Sequence, residues 1–302
     1  MTIPNVFPID LNFQGIAGSI AVYLIPHASG AALVECGSGS TLDSLEAGLK
    51  THGYTTNDVT DVFLTHIHLD HAGACGYLAQ RGASIHVHPN GASHLLNPEK
   101  LLASAHRIYG EMMKPLWGDF LPVQEDRLSI VSDNDEIEVG GLRITALETP
   151  GHASHHLVYI LDEICFSGDI GGVRLHGSQH ISLPMPPPEF NLELWRQSLI
   201  RLKELSFSHI APTHFGIYPD ARWHLQMLDQ ALDEVETWIE STLSENPSID
   251  TLRQAIAEWE NQRLIRDGVD RANLNAHQAA NPTFMSADGI QRYWNKYRIN
   301  HS

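Results

Sequence analysis

Apolar and polar positions along the chain follow two different periods. In the first half, short β-type runs alternate with turn punctuation: residues 19–25 (SIAVYLI) and 31–35 (AALVE) precede the Gly-Ser-Gly of CGSGST, which predicts a strand pair. Leu42, Leu45 and Leu49 then recur at helical spacing behind Ser40 or Thr41 as a cap and stop at Gly53, predicting a helix over residues 42–51. Residues 59–64 (VTDVFL) read as the next buried strand, leading straight into THIHLDHAGACGYLAQRG, where the spacing turns helical. Residues 85–88 (IHVH) return as a strand.

From residue 89 to about 126 the pattern is helix with turn breaks, rich in Met, Tyr, Trp and Phe. This segment is predicted to be a helical insertion packed on the core, and it could also serve as a lid over a pocket. Its Tyr109, Met112, Met113, Trp117 and Phe120 fit either a core-facing surface or an apolar substrate wall. Strand signals resume at 136–139, 142–147, 156–161 and 164–166, with Gly140-Gly141 and Asp162-Glu163 as hairpin turns. Residues 171–190 form a loop in which the prolines of LPMPPPEF forbid helix and central strand alike. An amphipathic helix over 192–205, a short strand over 209–212, a long helix over 222–244 and further helix from 249 complete the chain.

Composition narrows the function classes. The 302 residues carry 36 acidic and 19 basic side chains, a formal charge of −17. An acid excess of this size opposes sequence-independent binding to nucleic acid, which depends on Lys and Arg neutralising phosphates. The start MTIPNVFPIDLNFQG lacks a basic n-region and an apolar run of about 7–15 residues, and no window approaches about 18 apolar residues. A cytoplasmic protein without membrane contact is therefore expected. Cys36, Cys75 and Cys165 form no CxxC pair and are expected to be small buried apolar residues.

The 19 histidines are the unusual feature, and their positions decide the reading. His66, His68, Asp70 and His71 fall within six residues where a predicted strand feeds a loop and a helix. The strand period places His66 and His68 on one face, and the following loop lets Asp70 and His71 also point inward, which favours two metal positions. Further candidates stand at three later strand ends: His152 in TPGH, Asp169 in FSGD and His214 in PTHFG. Sheets would fix such positions while loops present the groups.

These residues resemble the signature of the metallo-β-lactamase superfamily, HxHxDH followed by a His, an Asp and a His, across roughly residues 22–216. The resemblance implies an α+β fold, a four-layer αββα sandwich of two mixed sheets with helices outside. Residues 1–220 would be the catalytic domain, with 89–126 inserted, and 221–302 a helical carboxy-terminal extension packed on it. By the same resemblance His66, His68 and His152 hold one divalent ion, Asp70, His71 and His214 another, and Asp169 bridges them. Zinc is the expected metal, with manganese or iron as alternatives. The implied activity is hydrolysis of a small ester-like molecule, thioester or lactone, by a metal-bridging hydroxide, with Asp70 as proton carrier.

Departures from the family pattern refine this reading. The ligand set with Asp169 is that of hydroxyacylglutathione thioesterases and lactonases, which sets antibiotic hydrolysis aside. The second HxH histidine is not Glu, unlike flavodiiron proteins. GGVRLHG replaces the Cys-Gly-Lys/Arg stretch of glyoxalase II, and Gly172 stands where acyl-homoserine lactonases place Tyr. Glu35-Cys36 replaces the common Asp-Thr, a position that supports the site without ligating. A mono-iron persulfide dioxygenase is the alternative from another reaction class, with a phosphodiesterase or a non-catalytic metal-binding member behind it. Secondary candidates are His155 and His156, expected as satisfied core histidines; His86 and His88, expected in packing roles without carboxylate neighbours; and Arg174 and His176, considered for substrate contact. The apolar face of the long helix and Tyr293, Trp294 and Tyr297 would allow a homodimer.

Overall fold

The structure, a computed structural model, describes residues 5–299. Among these residues, eleven strands form two mixed sheets. The first contains β1 (Phe7–Asp10), β2 (Ala21–His27), β3 (Gly30–Val34), β4 (Val59–Phe63), β5 (Ser84–Val87) and β6 (Leu128–Ile130), neighbours in that order. The second contains β7 (Glu136–Val139), β8 (Leu142–Glu148), β9 (Leu157–Leu161), β10 (Ile164–Phe166) and β11 (His209–Ala211), again in order. Strands β3 to β6 run parallel, as do β10 and β11, and the remaining pairs are antiparallel.

The central strands are apolar on both faces because both faces are covered. Along β2, Ala21, Tyr23 and Ile25 point between the sheets with Phe63, Ile144, Tyr159 and Phe166. The alternate Val22 and Leu24 pack outward with Leu45, Leu49 and Leu78 of α1 (Leu42–Thr51) and of α3 (Cys75–Gln80), which follows the single-turn α2 (Leu69–Ala72). Three helices then cover this side: α4 (Pro89–Leu96), α5 (Glu99–Tyr109) and α6 (Met113–Trp117). The outer face of the second sheet (Val158, Cys165, Ile210) meets Trp195 and Leu199 of α7 (Leu192–Lys203) and Leu228, Leu232 and Val235 of α8 (Ala221–Leu243). The expected αββα sandwich is thus present.

Helices α9 (Ile249–Arg266), α10 (Arg271–Ala280) and α11 (Thr283–Tyr293) continue this layer. Tyr293 is buried against Phe190, and Trp294 and Tyr297 pack half-buried on the same cluster. No helix among the described residues is long and apolar enough to cross a membrane. All three cysteines are free and buried.

Strands β1 and β6 were not anticipated. Both are edge strands, where Pro8 and Ser129 interrupt the apolar signal that marks central strands. Gly140 and Gly141 both take positive φ, 56° and 88°, as a tight hairpin turn requires.

A buried charged latch ties α9 to the 171–190 loop. Arg263 donates to Glu260, to Glu234 and to the Ile181 carbonyl, while His180 donates to Glu260 (3.1 Å) and Asp267 (2.7 Å). Burial alone would raise the Glu260 carboxyl, but the His180 hydrogen bond and the Arg263 charge outweigh it and hold it at about 2. A depressed folded pKa contributes stability above the unfolded value and loses it as pH falls through the folded one. The stability gap between wild type and Glu260→Gln, measured by urea unfolding, should therefore be widest near neutrality and close as pH falls from about 5 towards 2. A gap that does not change with pH would contradict this role.

Candidate metal centre

All seven residues of the predicted ligand set converge at one edge of the sandwich, each beyond the end of a strand: His66, His68, His152 and His214 on loops, Asp70 and His71 on α2, and Asp169 on a 3-10 turn. Two tyrosines buried between the sheets hold two of these segments. Tyr159 donates to the Leu64 carbonyl (3.0 Å) just before Thr65-His66, and Tyr23 to the Pro212 carbonyl (2.5 Å) just before Thr213-His214. Leu157 N–H also donates to Thr65 C=O (2.7 Å), joining the sheets at the site. Gly151 orients His152: at φ 145° its α-carbon lies so close to the Trp195 backbone that a side chain would collide with it.

The ligand atoms form two groups. In the first, His66 Nε2 and His152 Nε2 each lie 2.9 Å from His68 Nδ1. In the second, Asp70 Oδ2 lies 3.5 Å from His71 Nε2 and 3.6 Å from His214 Nε2. Asp169 reaches both groups. Its Oδ1 is 3.4 Å from His71 Nε2 and 3.5 Å from His214 Nε2, and its Oδ2 is 3.4 Å from His152 Nε2.

The donor set fits divalent cations. A tetrahedral ion with ligands about 2.0–2.2 Å away holds its ligand atoms about 3.3–3.6 Å apart, the spacing of the second group. His71 Nε2 and Asp169 Oδ1 are buried without a hydrogen-bond partner. Such atoms are rare in native proteins unless a ligand or ion meets them. Burial and the neighbouring rings hold His66 and His152 well below the usual histidine range, so both are neutral lone-pair donors at neutral pH. Burial also opposes charge on His71, but Asp70, Asp169 and Glu35 outweigh it and lift that ring to about 10. The second group therefore holds excess negative charge, which a cation would balance in place of the proton.

The nitrogens facing away from these groups are also engaged, which sets ring orientation. His152 Nδ1 donates to the Pro184 carbonyl (2.8 Å) and His214 Nδ1 to the Ser19 carbonyl (2.8 Å). His71 Nδ1 donates to Glu35 Oε1 (2.9 Å), and that same oxygen accepts from Thr65 Oγ1 (2.5 Å) and Thr213 Oγ1 (3.0 Å). Because Thr65 spends its proton on Glu35, its oxygen accepts from His66 Nδ1 (3.0 Å). Glu35 thus ties together both ligand groups from a fully buried position with φ 65°, a conformation rare for side chains other than glycine. Glu35 also stands with His66 and His71 in a third grouping that could hold an ion, but three donors already engage its Oε1, which fits a supporting role.

A cavity of about 890 Å³ opens over this centre, with His68, Asp70, His152 and Asp169 on its floor. Its walls come mainly from the 89–117 helices (Tyr109, Leu116, Trp117), the Pro184–Glu189 segment and the α10–α11 junction (Met285), with Phe13 and Leu69 added from near the amino terminus and α2. Tyr109 donates to Met285 Sδ (2.9 Å), closing the insertion onto α11. Met112 lines the cavity, whereas Met113 and Phe120 lie outside its lining.

Several secondary expectations need correction. His86 and His88 do have carboxylate partners: His86 donates to Asp61 (2.7 Å) of the neighbouring strand β4, and His88 to Glu148 (3.1 Å) of β8 in the other sheet. Arg174 makes no cavity contact; it is buried, paired bidentately with Asp220 (2.7 and 2.8 Å) and stacked on Tyr218 and Trp223. His176 is exposed and also lies outside the cavity lining. His156 is a satisfied core histidine bonded to Thr149 Oγ1 (2.9 Å) and the Ile170 N–H. His155, expected to be the same, instead lines the cavity, with Nε2 3.4 Å from Glu189, which Ser154 anchors. Only the histidine-rich stretch HASHH hinted at this placement.

Two sheets between helix layers, carrying His and Asp groups able to hold metal at one edge, define a metallo-hydrolase type of fold and site. The chain belongs to the metallo-β-lactamase superfamily, whose family model matches residues 15–214. A metallo-β-lactamase fold-containing protein of Sulfurisphaera tokodaii is 29% identical over 191 residues, covering 61% of this chain and 72% of its own. A hydroxyacylglutathione hydrolase of Rhodopseudomonas palustris is 29% identical over 140 residues, 44% of this chain and 43% of that one. An atrochrysone carboxyl ACP thioesterase of Aspergillus fumigatus is 26% identical over 208 residues, 68% of this chain and 53% of that one. The chain thus spans less than half of that hydrolase and about half of that thioesterase. The crystal structure of a metallo-β-lactamase family protein from Thermus thermophilus superposes with a TM-score of 0.69 at 21% identity, covering 97% of this chain and 94% of that one. The fold likeness therefore includes the carboxy-terminal helices.

Proposed function

We propose that the protein is a metal-dependent hydrolase of an ester-like acyl compound, a thioester or lactone, built around two divalent ions of which zinc is the first candidate. The observation that carries this reading is the placement of Asp169, whose two oxygens face two different ligand groups on the floor of an apolar cavity. His66, His68 and His152 would hold one ion, and Asp70, His71 and His214 the other, with Asp169 between them. When bound, such a pair supplies Lewis acidity and lowers the pKa of a shared water towards about 7.

The chain's own groups account for the rest. The apolar walls take the acyl portion and exclude bulk water from the carbonyl. Asp70, whose side chain is one-fifth exposed at the cavity floor, takes the proton of the attacking water. As the acyl C–S or C–O bond breaks, the same carboxylate returns that proton to the leaving atom, giving an acid and a thiol or alcohol. The thioester substrates named for two relatives support this bond type. A panel of thioesters, lactones, aryl esters and phosphodiesters, assayed on metal-loaded protein, tests the proposal. The expected result is turnover of an acyl substrate that chelation abolishes and zinc restores. Turnover confined to phosphodiesters, or oxygen consumption on glutathione persulfide with a single iron, would overturn it.

A further inference from the structure

The cavity is larger and differently charged than a small neutral lactone requires. Its volume of about 890 Å³ lies near the upper end of the range of about 300–1,000 Å³ that accepts drug-sized ligands. Three of its lining residues, Ile108, Met112 and Phe284, keep 37%, 51% and 40% of their surface open to solvent at the rim. Apolar surface left in water at the mouth of an apolar cavity is suited to a chain that runs out through it.

The same rim carries two cations in a chain of charge −17. Lys100 and Arg107 are exposed cavity-lining residues two turns apart on α5, about 10 Å along the helix axis, with Leu101, Ser104 and Ile108 on the same stripe. Neither forms an ion pair with a carboxylate among the described residues, although most of the described arginines do. Helix stability does not account for Lys100, because it stands in the first turn of α5, where the helix dipole disfavours a cation. The remaining acidic group of the wall, Glu189, is engaged by Ser154 and His155.

We propose that the substrate is an amphipathic acyl thioester or ester whose reactive carbonyl reaches the floor, whose apolar chain fills the cavity, and whose anionic group is received by Lys100 and Arg107. This rests on the hydrolase reading above and adds the substrate's charge and length. The anion belongs either to the leaving group or to the far end of the acyl chain, and the test separates the two.

Three thioesters of equal acyl length are compared on metal-loaded protein: neutral S-octanoyl-N-acetylcysteamine, octanoyl-coenzyme A with phosphates on the leaving group, and the suberic monothioester of N-acetylcysteamine with a carboxylate on the acyl end. One anionic thioester is expected to exceed the neutral one about tenfold in kcat/KM, mainly through KM, and the ratio should fall to near one in Lys100→Ala/Arg107→Ala. Added salt should lower the ratio in wild type as well. No anionic preference, or a preference that survives in the double variant, overturns the proposal. Should none of the three be cleaved, the hydrolase reading loses its thioester basis, and binding decides the present inference alone. Octyl phosphate should then bind about tenfold more tightly than octyl glucoside in wild type and equally in the double variant. Equal binding in wild type, or a preference that persists in the double variant, would refute it.

Discussion

Asp70→Ala should lower kcat by about 10²–10⁴-fold on whichever acyl substrate proves active, the range typical for removing a positioned proton carrier. The same change takes one oxygen from the second ligand group, where Asp70 Oδ2 stands 3.5–3.6 Å from the His71 and His214 nitrogens. Metal content should therefore fall towards one equivalent per chain, while circular dichroism stays that of wild type because the Asp70 side chain stands partly exposed on the cavity floor. Asp70→Asn separates the two effects: the amide oxygen can still ligate weakly but accepts no proton at neutral pH. Activity within tenfold of wild type in Asp70→Ala would remove Asp70 from the chemistry.

Glu35→Ala should produce the largest combined loss of stability and metal affinity of any residue that does not itself ligate. Its removal leaves the Thr65 and Thr213 hydroxyls and His71 Nδ1 without their acceptor in a fully buried site. Each unsatisfied group costs about 1–3 kcal/mol, so a loss of about 3–5 kcal/mol in unfolding free energy is expected. Because His71 and, through Thr65, His66 also lose orientation, metal affinity should weaken about 10–100-fold in a chelator competition. Glu35→Gln keeps one acceptor oxygen and should fall between. Destabilisation below about 1 kcal/mol with unchanged metal affinity would show that the three loops hold their positions without Glu35.

The candidate ligand positions were legible in the sequence because their pattern is local. HxHxDH lies where a buried strand ends, and His152, Asp169 and His214 each follow an apolar run. The central strands and α1 were legible for a similar reason, since their periodicity is dictated by burial. Glu35, by contrast, shows in sequence only as a departure from the usual Asp; its three hydrogen-bond partners come from residues 65, 71 and 213, and nothing local reports that meeting. The partners of His86 and His88 were missed likewise, because Asp61 and Glu148 arrive from other strands. Arg174 follows Asp169 by five residues, which suggested the cavity, yet the chain turns outward at Gly172 (φ 73°) and delivers it to Asp220. The edge strands β1 and β6 escaped because an edge needs no continuous apolar run.

Two ligand groups sharing Asp169 are proposed each to hold a divalent ion. Inductively coupled plasma mass spectrometry on purified, desalted protein tests this most directly. Two equivalents per chain are expected, zinc foremost, falling by at least half in Asp169→Ala. One iron per chain, or no metal retained by the wild type, would contradict it.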